Sequence, residues 1–431
     1  MRTSFSALQL QDPNTREVEK IFRSCVHCGF CNATCPTYLL KGDELDGPRG
    51  RIYLLKDMLE NESIPEMKVV KHIDRCLSCL SCMTTCPSGV NYMHLIDHGR
   101  AYIEKTYKRS IVEKIFRQLL AITLPQPSLF RPLSKIGKLA FPLRGILPAS
   151  IRAGLQLTQQ SNSSAEDSKL ETLYLSEGNS IGRVGLLAGC VQQVLANDIN
   201  MASIRLLNRI GFDVQVLNET QCCGAIEQHL GQTERSAKRI TANLNRWSSA
   251  IPQMDALISN ASGCGTMLKD YGHLFKNDKK LSSVAEQVSK KTKDICEFLA
   301  ELNLGENSSH LSKKYKVAYQ NPCSMQHGQK ILSQPGKLLE LFGFNTNSIP
   351  DSHLCCGSAG TYNIMQPTLA AQLGQNKANN LVSVLPDVIA SGNLGCILQL
   401  RQYTKTPVVH TVQLLDWANG GPRPQALSEL N

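Results

Sequence analysis

The sequence predicts an α+β multidomain chain, with a helical N-terminal domain followed by two homologous α/β modules, on three observations. One four-cysteine pattern occurs twice before residue 90. A different cysteine pattern occurs twice in the second half, with a fixed offset. Apolar runs of strand length alternate there with helical periodicity, which implies parallel α/β layers.

The first pattern is Cys25, Cys28, Cys31, Cys35, Pro36 and again Cys76, Cys79, Cys82, Cys86, Pro87. Each copy reads C-x2-C-x2-C-x3-C-P, the spacing that holds cubane [4Fe-4S] clusters in bacterial-type ferredoxins. Three closely spaced cysteines on a curled backbone converge on one cluster, and the fourth ligand crosses over from the other copy. The expected ligand sets are therefore Cys25, Cys28, Cys31 and Cys86 for one cluster, and Cys76, Cys79, Cys82 and Cys35 for the other. Zinc sites instead use paired C-x2-C clips separated by a longer span. The prolines are expected to end each turn and aim the chain away from the metal.

Residues 14–40 and 68–104 each read as a helix, a cysteine-bearing turn and a second helix, with Ile21, Phe22, Leu39 and Leu40 at helical spacing. Between them, GDELDGPRGRIYLLKDMLE places a turn before an amphipathic helix at about 51–60. Cys35 and Cys76 are 41 residues apart, a longer gap than a minimal ferredoxin needs, so a mostly helical two-cluster, ferredoxin-type domain is expected over 1–104. Arg49 and Arg51 sit near the turn, where they neutralise cluster charge, dock a partner or are simply solvated.

Residues 105–180 form a basic and apolar connector. Lys105, Lys108, Arg109, Lys114, Arg117, Lys135, Lys138 and Arg144 are interleaved with Ile115, Phe116, Leu119, Leu120, Phe130, Leu133 and Phe141. Prolines 125, 127, 132, 142 and 148 break it into short amphipathic pieces. Such pieces suit an acidic membrane face or a partner subunit, or pack as a connector on their own domains. SNSSAEDSK at 161–169 is a polar linker.

The whole chain has 431 residues, 42% hydrophobic, so two or three domains with real cores are expected. Seventeen cysteines in regular clusters, with no apolar stretch in MRTSFSALQLQDPNTREVEK, predict metal-binding thiolates in the cytoplasm rather than a secreted disulfide scaffold. No run approaches the roughly 20 apolar residues of a spanning helix. The formal net charge is +10, and two clusters of about 2− each bring the loaded chain close to mildly basic. With no zinc finger, RNA-binding pattern or long basic tract, nucleic acid is not expected as a partner.

The second pattern is Cys190, Cys222-Cys223-Gly224 and Cys264, then Cys323, Cys355-Cys356-Gly357 and Cys396. Cys323 follows Cys190 by 133 residues, Cys355 follows Cys222 by 133, and Cys396 follows Cys264 by 132, which is an internal repeat. Modules over 181–310 and 311–431 are expected. Strand-like runs VGLLAG, DVQVL, DALIS and KVAYQ precede the cysteines, and MASIRLLNRI and PGKLLELF read as helices between them. The cysteines then fall at the carboxyl ends of parallel strands, where open α/β sheets bind ligands.

The Cys…Cys-Cys-Gly…Cys (CCG) arrangement resembles the cysteine-rich domain of heterodisulfide reductases, anaerobic glycerol-3-phosphate dehydrogenases and the iron-sulfur subunits of glycolate- and lactate-oxidising enzymes. CVHCGFCNATCPTY at 25–38, GDELDGPRGRIYL at 42–54, CLSCLSCMTTCPSGV at 76–90, ASGCG at 261–265 and PDSHLCCGSAGTY at 350–362 look most like the glycolate oxidase iron-sulfur subunit family. The resemblance runs from about residue 20 to the C-terminus. It implies an electron-transfer subunit beside FAD-bearing partners that oxidise glycolate to glyoxylate, with a quinone-type acceptor and a place in the cytoplasm, peripheral on the inner membrane. A D-lactate or glycerol-3-phosphate dehydrogenase subunit, or a heterodisulfide or thiol-disulfide reductase, are the alternatives. No G-x-G-x-x-G opens a helix after a strand, so the flavin is expected on another chain.

In the heterodisulfide reductase relatives the cysteine-rich domain binds a non-cubane cluster through a motif that ends in C-x-x-C. Here that end is reduced to Gly263-Cys264 and Gly395-Cys396, so four cysteines per module are left to hold an iron-sulfur cluster, another metal such as zinc, or a metal-free thiol site. Adjacent cysteines diverge in extended chain, and Gly224 and Gly357 supply the kink that lets both face one centre. Gln320-Asn321-Pro322 precedes Cys323 where relatives often carry histidine. His327 and His353 lie near enough to donate to cluster sulfur or relay a proton, or to pack beside the ligands. His27 is expected to point outward, and Cys296 to be a buried small apolar residue.

Overall fold

Asp12 opens the first helix, α1 (Pro13–Ser24), by accepting the backbone N–H of Thr15 at 2.8 Å, with Pro13 at the position where a missing N–H costs nothing. The computed structural model describes residues 1–160, 170–217, 220–302, 304, 311 and 315–428. Val18, Ile21 and Phe22 bury one face of α1, and the helix ends at Cys25, so its last turn delivers the first cysteine loop. Pro36 begins α2 (Pro36–Lys41) instead of only ending a turn, because proline is pre-set for the first helical position. Helices α3 (Pro48–Glu60), α4 (Met67–Asp74), α5 (Ser81–Thr85) and α6 (Tyr92–Thr106) complete the expected helical domain. Phe22, Leu55, Ile73, Leu95 and Ile96 form its centre.

Three helices cover the connector: α7 (Ile111–Thr123), α8 (Pro127–Leu139) and α9 (Ala149–Gln159). Short pieces were expected from the prolines, and α8 runs through Pro132. The linker at 161–169 lies outside the described residues.

Each cysteine-rich module is built on a sheet. The first has strand order β1-β3-β2-β4-β5, with β1 (Leu173–Tyr174), β2 (Gly182–Leu187), β3 (Phe212–Val216), β4 (Ala256–Ser259) and β5 (Thr292–Asp294). Only β1 is antiparallel. The second has order β7-β6-β8-β9, with β6 (Lys316–Gln320), β7 (Asn345–Asn347), β8 (Val388–Ser391) and β9 (Val408–His410), all parallel. Without β1 the two orders are the same, as a duplication requires. The expected runs became β2, β3, β4 and β6. Five strands were not expected: β8 and β9, the fully buried runs VIAS and VVH, and β1, β5 and β7, whose LY, TKD and NTN are too short or too polar to show apolar alternation.

One apolar core unites both sheets, through Leu206 and Leu207 of one module and Leu414 and Leu415 of the other. Buried Asp416 accepts from Arg205 at 2.6 Å and also from Arg209, tying the helix Asn197–Ile210 to the helix Thr411–Ala418. His410 Nε2 lies 2.9 Å from the carbonyl oxygen of Asn260, across the same junction.

Candidate metal centres

In the first N-terminal loop His27 and Gly29 flank Cys28 at φ of 58° and 84°; in the second, Ser78 and Leu80 flank Cys79 at 50° and 62°. These left-handed residues occupy the same places in both copies. They curl the chain so that three sulfurs turn inward, and a non-glycine residue held there costs about 1–2 kcal/mol that the surrounding structure must supply. Nothing in the residue types at 78 and 80 announced this conformation.

Cys25, Cys28, Cys31 and Cys86 line one cavity, together with Tyr92, Arg49 and, from the second copy, Cys82. Burial pushes the Cys31 thiol up to about 11, with Cys25 and Cys86 adding to the rise. The second group brings Cys76, Cys79 and Cys82 near Cys35: burial pushes the Cys79 and Cys82 thiols well up, and Cys76 and Cys35 raise both further. Cys86 thus sits with the first loop and Cys35 with the second.

Arg51 is buried, which removes it as a docking residue. It donates to the carbonyl of His72 at 2.8 Å, to Thr37 Oγ1 at 3.0 Å and toward Cys35 Sγ at 3.8 Å. Burial opposes its charge, yet Cys76, Tyr92, Cys35 and Asp46 hold it protonated. Asp46, itself buried, accepts from Arg75 at 2.7 Å and meets His72 Nδ1 at 2.9 Å. Arg49 stays partly exposed and donates to Glu44 at 2.6 Å.

In the first module Cys190 follows β2, Cys222 and Cys223 follow β3, and Cys264 lies in the first turn of the helix Ser262–Lys269 after β4. These are the carboxyl ends of three adjacent strands. Cys190 Sγ is 3.4 Å from Cys222 Sγ, and Cys223 bonds to both Cys222 and Cys264. In the second module Cys323 Sγ is 3.7 Å from Cys355 Sγ, and Cys356 bonds to Cys355 and Cys396. Cys222 and Cys356 accept from their neighbours and are held below the usual thiol range; Cys190, Cys223, Cys355 and Cys396 are pushed up.

Gly224 and Gly357 have φ of 90° and 83°. A Cβ would meet Ser236 Oγ at 2.7 Å in the first case and the Ala370 carbonyl at 2.7 Å in the second. The kink expected from the sequence is therefore present in both modules.

None of the seventeen cysteines is in a disulfide. Four groups of four converge, each a soft sulfur donor set of the kind that suits a cationic iron-sulfur core. Cys296 is buried at a helix start, as a small apolar residue. His27 does not point outward: it is half-buried and edge-on to Tyr53, because its left-handed backbone turns the ring back over the loop. His327 Nδ1 lies 2.8 Å from Thr84 Oγ1 and its Nε2 lies 3.0 Å from the carbonyl of His353, so the ring pins α5 to the second module.

A further juxtaposition left no mark along the chain. Cys79 shares one apolar cluster with Cys323, Cys355, Leu77 and Tyr362, so the second N-terminal group abuts the second module's thiols.

Comparison with known proteins matches residues 21–90 to the family model "4Fe-4S dicluster domain", and 184–269 and 317–401 to "Cysteine-rich domain". The glycolate oxidase iron-sulfur subunit of Escherichia coli (strain K12) is 42% identical over 97% of this chain and 99% of its own length. The "Probable glycolate oxidase iron-sulfur subunit" of Bacillus subtilis (strain 168) is 30% identical over 88% of each. Lactate utilization protein A of Oceanobacillus iheyensis is 24% identical over 54% of this chain and 96% of its own. A crystal structure of a hypothetical protein from Helicobacter pylori shares the fold, with a TM-score of 0.56 at 12% identity over 96% of this chain and 74% of that one. With 42% identity to the first of these relatives over nearly the full length of both chains, and matches to both domain models, this chain belongs to the glycolate oxidase iron-sulfur subunit family.

Proposed function

We propose that the chain is the wiring of a flavin-dependent glycolate oxidase complex, passing electrons from a partner's FAD, where glycolate becomes glyoxylate, toward a quinone-type acceptor. Cys25, Cys28, Cys31 and Cys86 hold one [4Fe-4S] cluster, and Cys76, Cys79, Cys82 and Cys35 the other. Cys190, Cys222, Cys223 and Cys264, and Cys323, Cys355, Cys356 and Cys396, ligate further metal. When bound, such clusters supply one-electron chemistry, and the flavin supplies the two-electron step. This chain's residues set the surroundings: Arg51 places positive charge beside Cys35, and the Tyr92 hydroxyl donates toward Cys76 Sγ at 3.9 Å.

The observation that carries this reading is that Cys79 packs into one apolar cluster with Cys323 and Cys355, which brings two of the thiol groups side by side. Exposed apolar residues on α7 and α8, interleaved with lysine and arginine, support a peripheral place on the cytoplasmic face of the inner membrane. No helix among the described residues is long and apolar enough to cross a membrane.

The test is anaerobic co-purification of the complex with iron, sulfide and flavin counted per chain, and turnover assayed on glycolate, D-lactate and glycerol 3-phosphate. Iron and sulfide for at least the two N-terminal clusters, with glycolate preferred, is the expected result. Zinc in place of iron, or glycolate turnover by this chain alone, sinks the reading. The close Cys190–Cys222 and Cys323–Cys355 sulfurs favour one second reading, a thiol-disulfide reductase. It requires that Cys222→Ser or Cys355→Ser abolish disulfide turnover while the N-terminal EPR signals persist.

A further inference from the structure

Away from the cysteines, Glu17 of α1, His94 of α6 and His273 of the short helix Tyr271–Leu274 meet where the helical domain packs on the first module. Glu17 Oε1 lies 3.3 Å from His273 Nε2 and 3.9 Å from His94 Nδ1, and one donor atom from each of the three residues lies within 4.8 Å of the others. All three side chains are partly exposed, so an ion can enter from solvent. A second grouping of such donors, Asp43, Asp46 and His72, has no place for a cation, because Arg51 and Arg75 already flank the Asp46 carboxylate.

The far side of His94 is arranged as it is behind a metal ligand. Its Nε2 lies 2.9 Å from Asp270 Oδ1, and an ionised carboxylate only accepts, so the ring proton sits on Nε2. Nδ1 keeps its lone pair on the side of Glu17, where the Asn91 side-chain amide donates to it at 2.9 Å. A carboxylate behind a histidine fixes the tautomer and strengthens the free nitrogen as a ligand. Lys276 pairs with Glu17 through Oε2, which leaves Oε1 for the two rings. Two carboxylates against one lysine favour an added positive charge. An ion requires three side-chain rotations: the rings tilt out of their 3.7 Å stack, the Asn91 amide withdraws, and Lys276, already 41% exposed, turns to water.

We propose that Glu17 Oε1, His94 Nδ1 and His273 Nε2 bind a Zn²⁺ ion that clamps the helical domain to the first module, with water in the fourth position. Two imidazoles and a carboxylate suit this borderline ion, whereas Mg²⁺ and Ca²⁺ take oxygen donors. The ligands come from α1, α6 and the helix after Asp270, so one ion ties together segments about 80 and 180 residues apart in sequence. The site is separate from the cysteine groups, and the proposal does not depend on the electron-transfer reading.

The test uses the anaerobically purified full chain, washed with EDTA, and reads hydrogen exchange by mass spectrometry with and without Zn²⁺. Zinc should slow exchange together in the peptides that carry Glu17, His94 and residues 270–276, and Mg²⁺ should leave them unchanged. His273→Ala and Glu17→Gln, both at partly exposed side chains, should each abolish that protection, with unchanged iron and sulfide content showing that the variants fold. Asp270→Asn should weaken zinc binding by about 10–100-fold, the usual cost of losing the group behind a ligand histidine. At one added equivalent, X-ray absorption at the zinc edge should show nitrogen and oxygen at about 2.0–2.1 Å, where thiolate zinc gives sulfur at about 2.3 Å. No protection at these peptides, protection that survives both His273→Ala and Glu17→Gln, or a shell made only of sulfur overturns the proposal.

Discussion

Gly224 and Gly357 hold equivalent left-handed positions but face different neighbours, and that difference sets what an added methyl costs. At Gly224 the Cβ meets the Ser236 hydroxyl, which can turn away by giving up its bond to the Gly224 carbonyl; at Gly357 it meets the Ala370 backbone carbonyl, which cannot. Gly224→Ala should therefore cost about 1–2 kcal/mol from the backbone conformation alone, and Gly357→Ala clearly more. Denaturant titration of the two variants checks the order. Arg51 is the other residue whose surroundings decide its role. Arg51→Met leaves Asp46 with one fewer counter-charge and strands the His72 carbonyl, for an expected loss of about 3 kcal/mol. It also removes a cation beside Cys35, so the potential of the nearby cluster should fall in an EPR-monitored redox titration. A potential unchanged from the parent would contradict the role given to Arg51.

At the scale of elements, the connector helices are the part of the chain whose apolar faces are least used. Ile111, Ile115, Leu119 and Ile122 repeat at helical spacing on α7 and are exposed, while Leu120 and Ala121 face inward. On α8 Leu129, Leu133 and Ile136 repeat the arrangement. Such faces with basic neighbours bind anionic interfaces. The purified complex should sediment with vesicles containing anionic lipid, less so at high salt, and Ile115→Glu with Leu119→Glu should reduce the bound fraction several-fold. Equal binding by the double variant would place the contact elsewhere. The amphipathic pattern was readable from residue spacing. Which face stays uncovered was not, since that depends on what α9 and the modules already occupy.

For the whole molecule, two buried groups make stability depend on pH in opposite directions. Burial lowers His410 from 6.5 to about 4 despite its bond to the Asn260 carbonyl. The unfolded chain therefore binds the extra proton first, and stability falls as pH drops from about 6.5 toward 4, by about 3 kcal/mol. Burial raises Asp294 from 3.8 to about 7, so the folded chain binds the extra proton and stability falls as pH rises through that window. The two contributions oppose each other between pH 4 and 6.5. His410→Gln should leave a protein that loses stability with rising pH, and Asp294→Asn one that loses it with falling pH. Melting curves of both variants across this range test the assignment, and parallel profiles would refute it.

Spacing along the chain was enough to define the two N-terminal cysteine loops, the duplicated modules and the strands that lead to the first module's cysteines and to Cys323. These are local properties: a cluster-binding turn, a period of two or 3.6, and a repeat all leave their mark within a few residues or at a constant offset. The family resemblance rests on the same local stretches. Tertiary packing alone decided that Cys79 shares an apolar cluster with Cys323 and Cys355, that Arg51 is interior, that His327 joins Thr84, and that a cavity opens beside Cys76. Those partners are separated by tens to hundreds of residues. No periodicity records which surfaces will be pressed together when each module buries its apolar face, so only the assembled core could fix them.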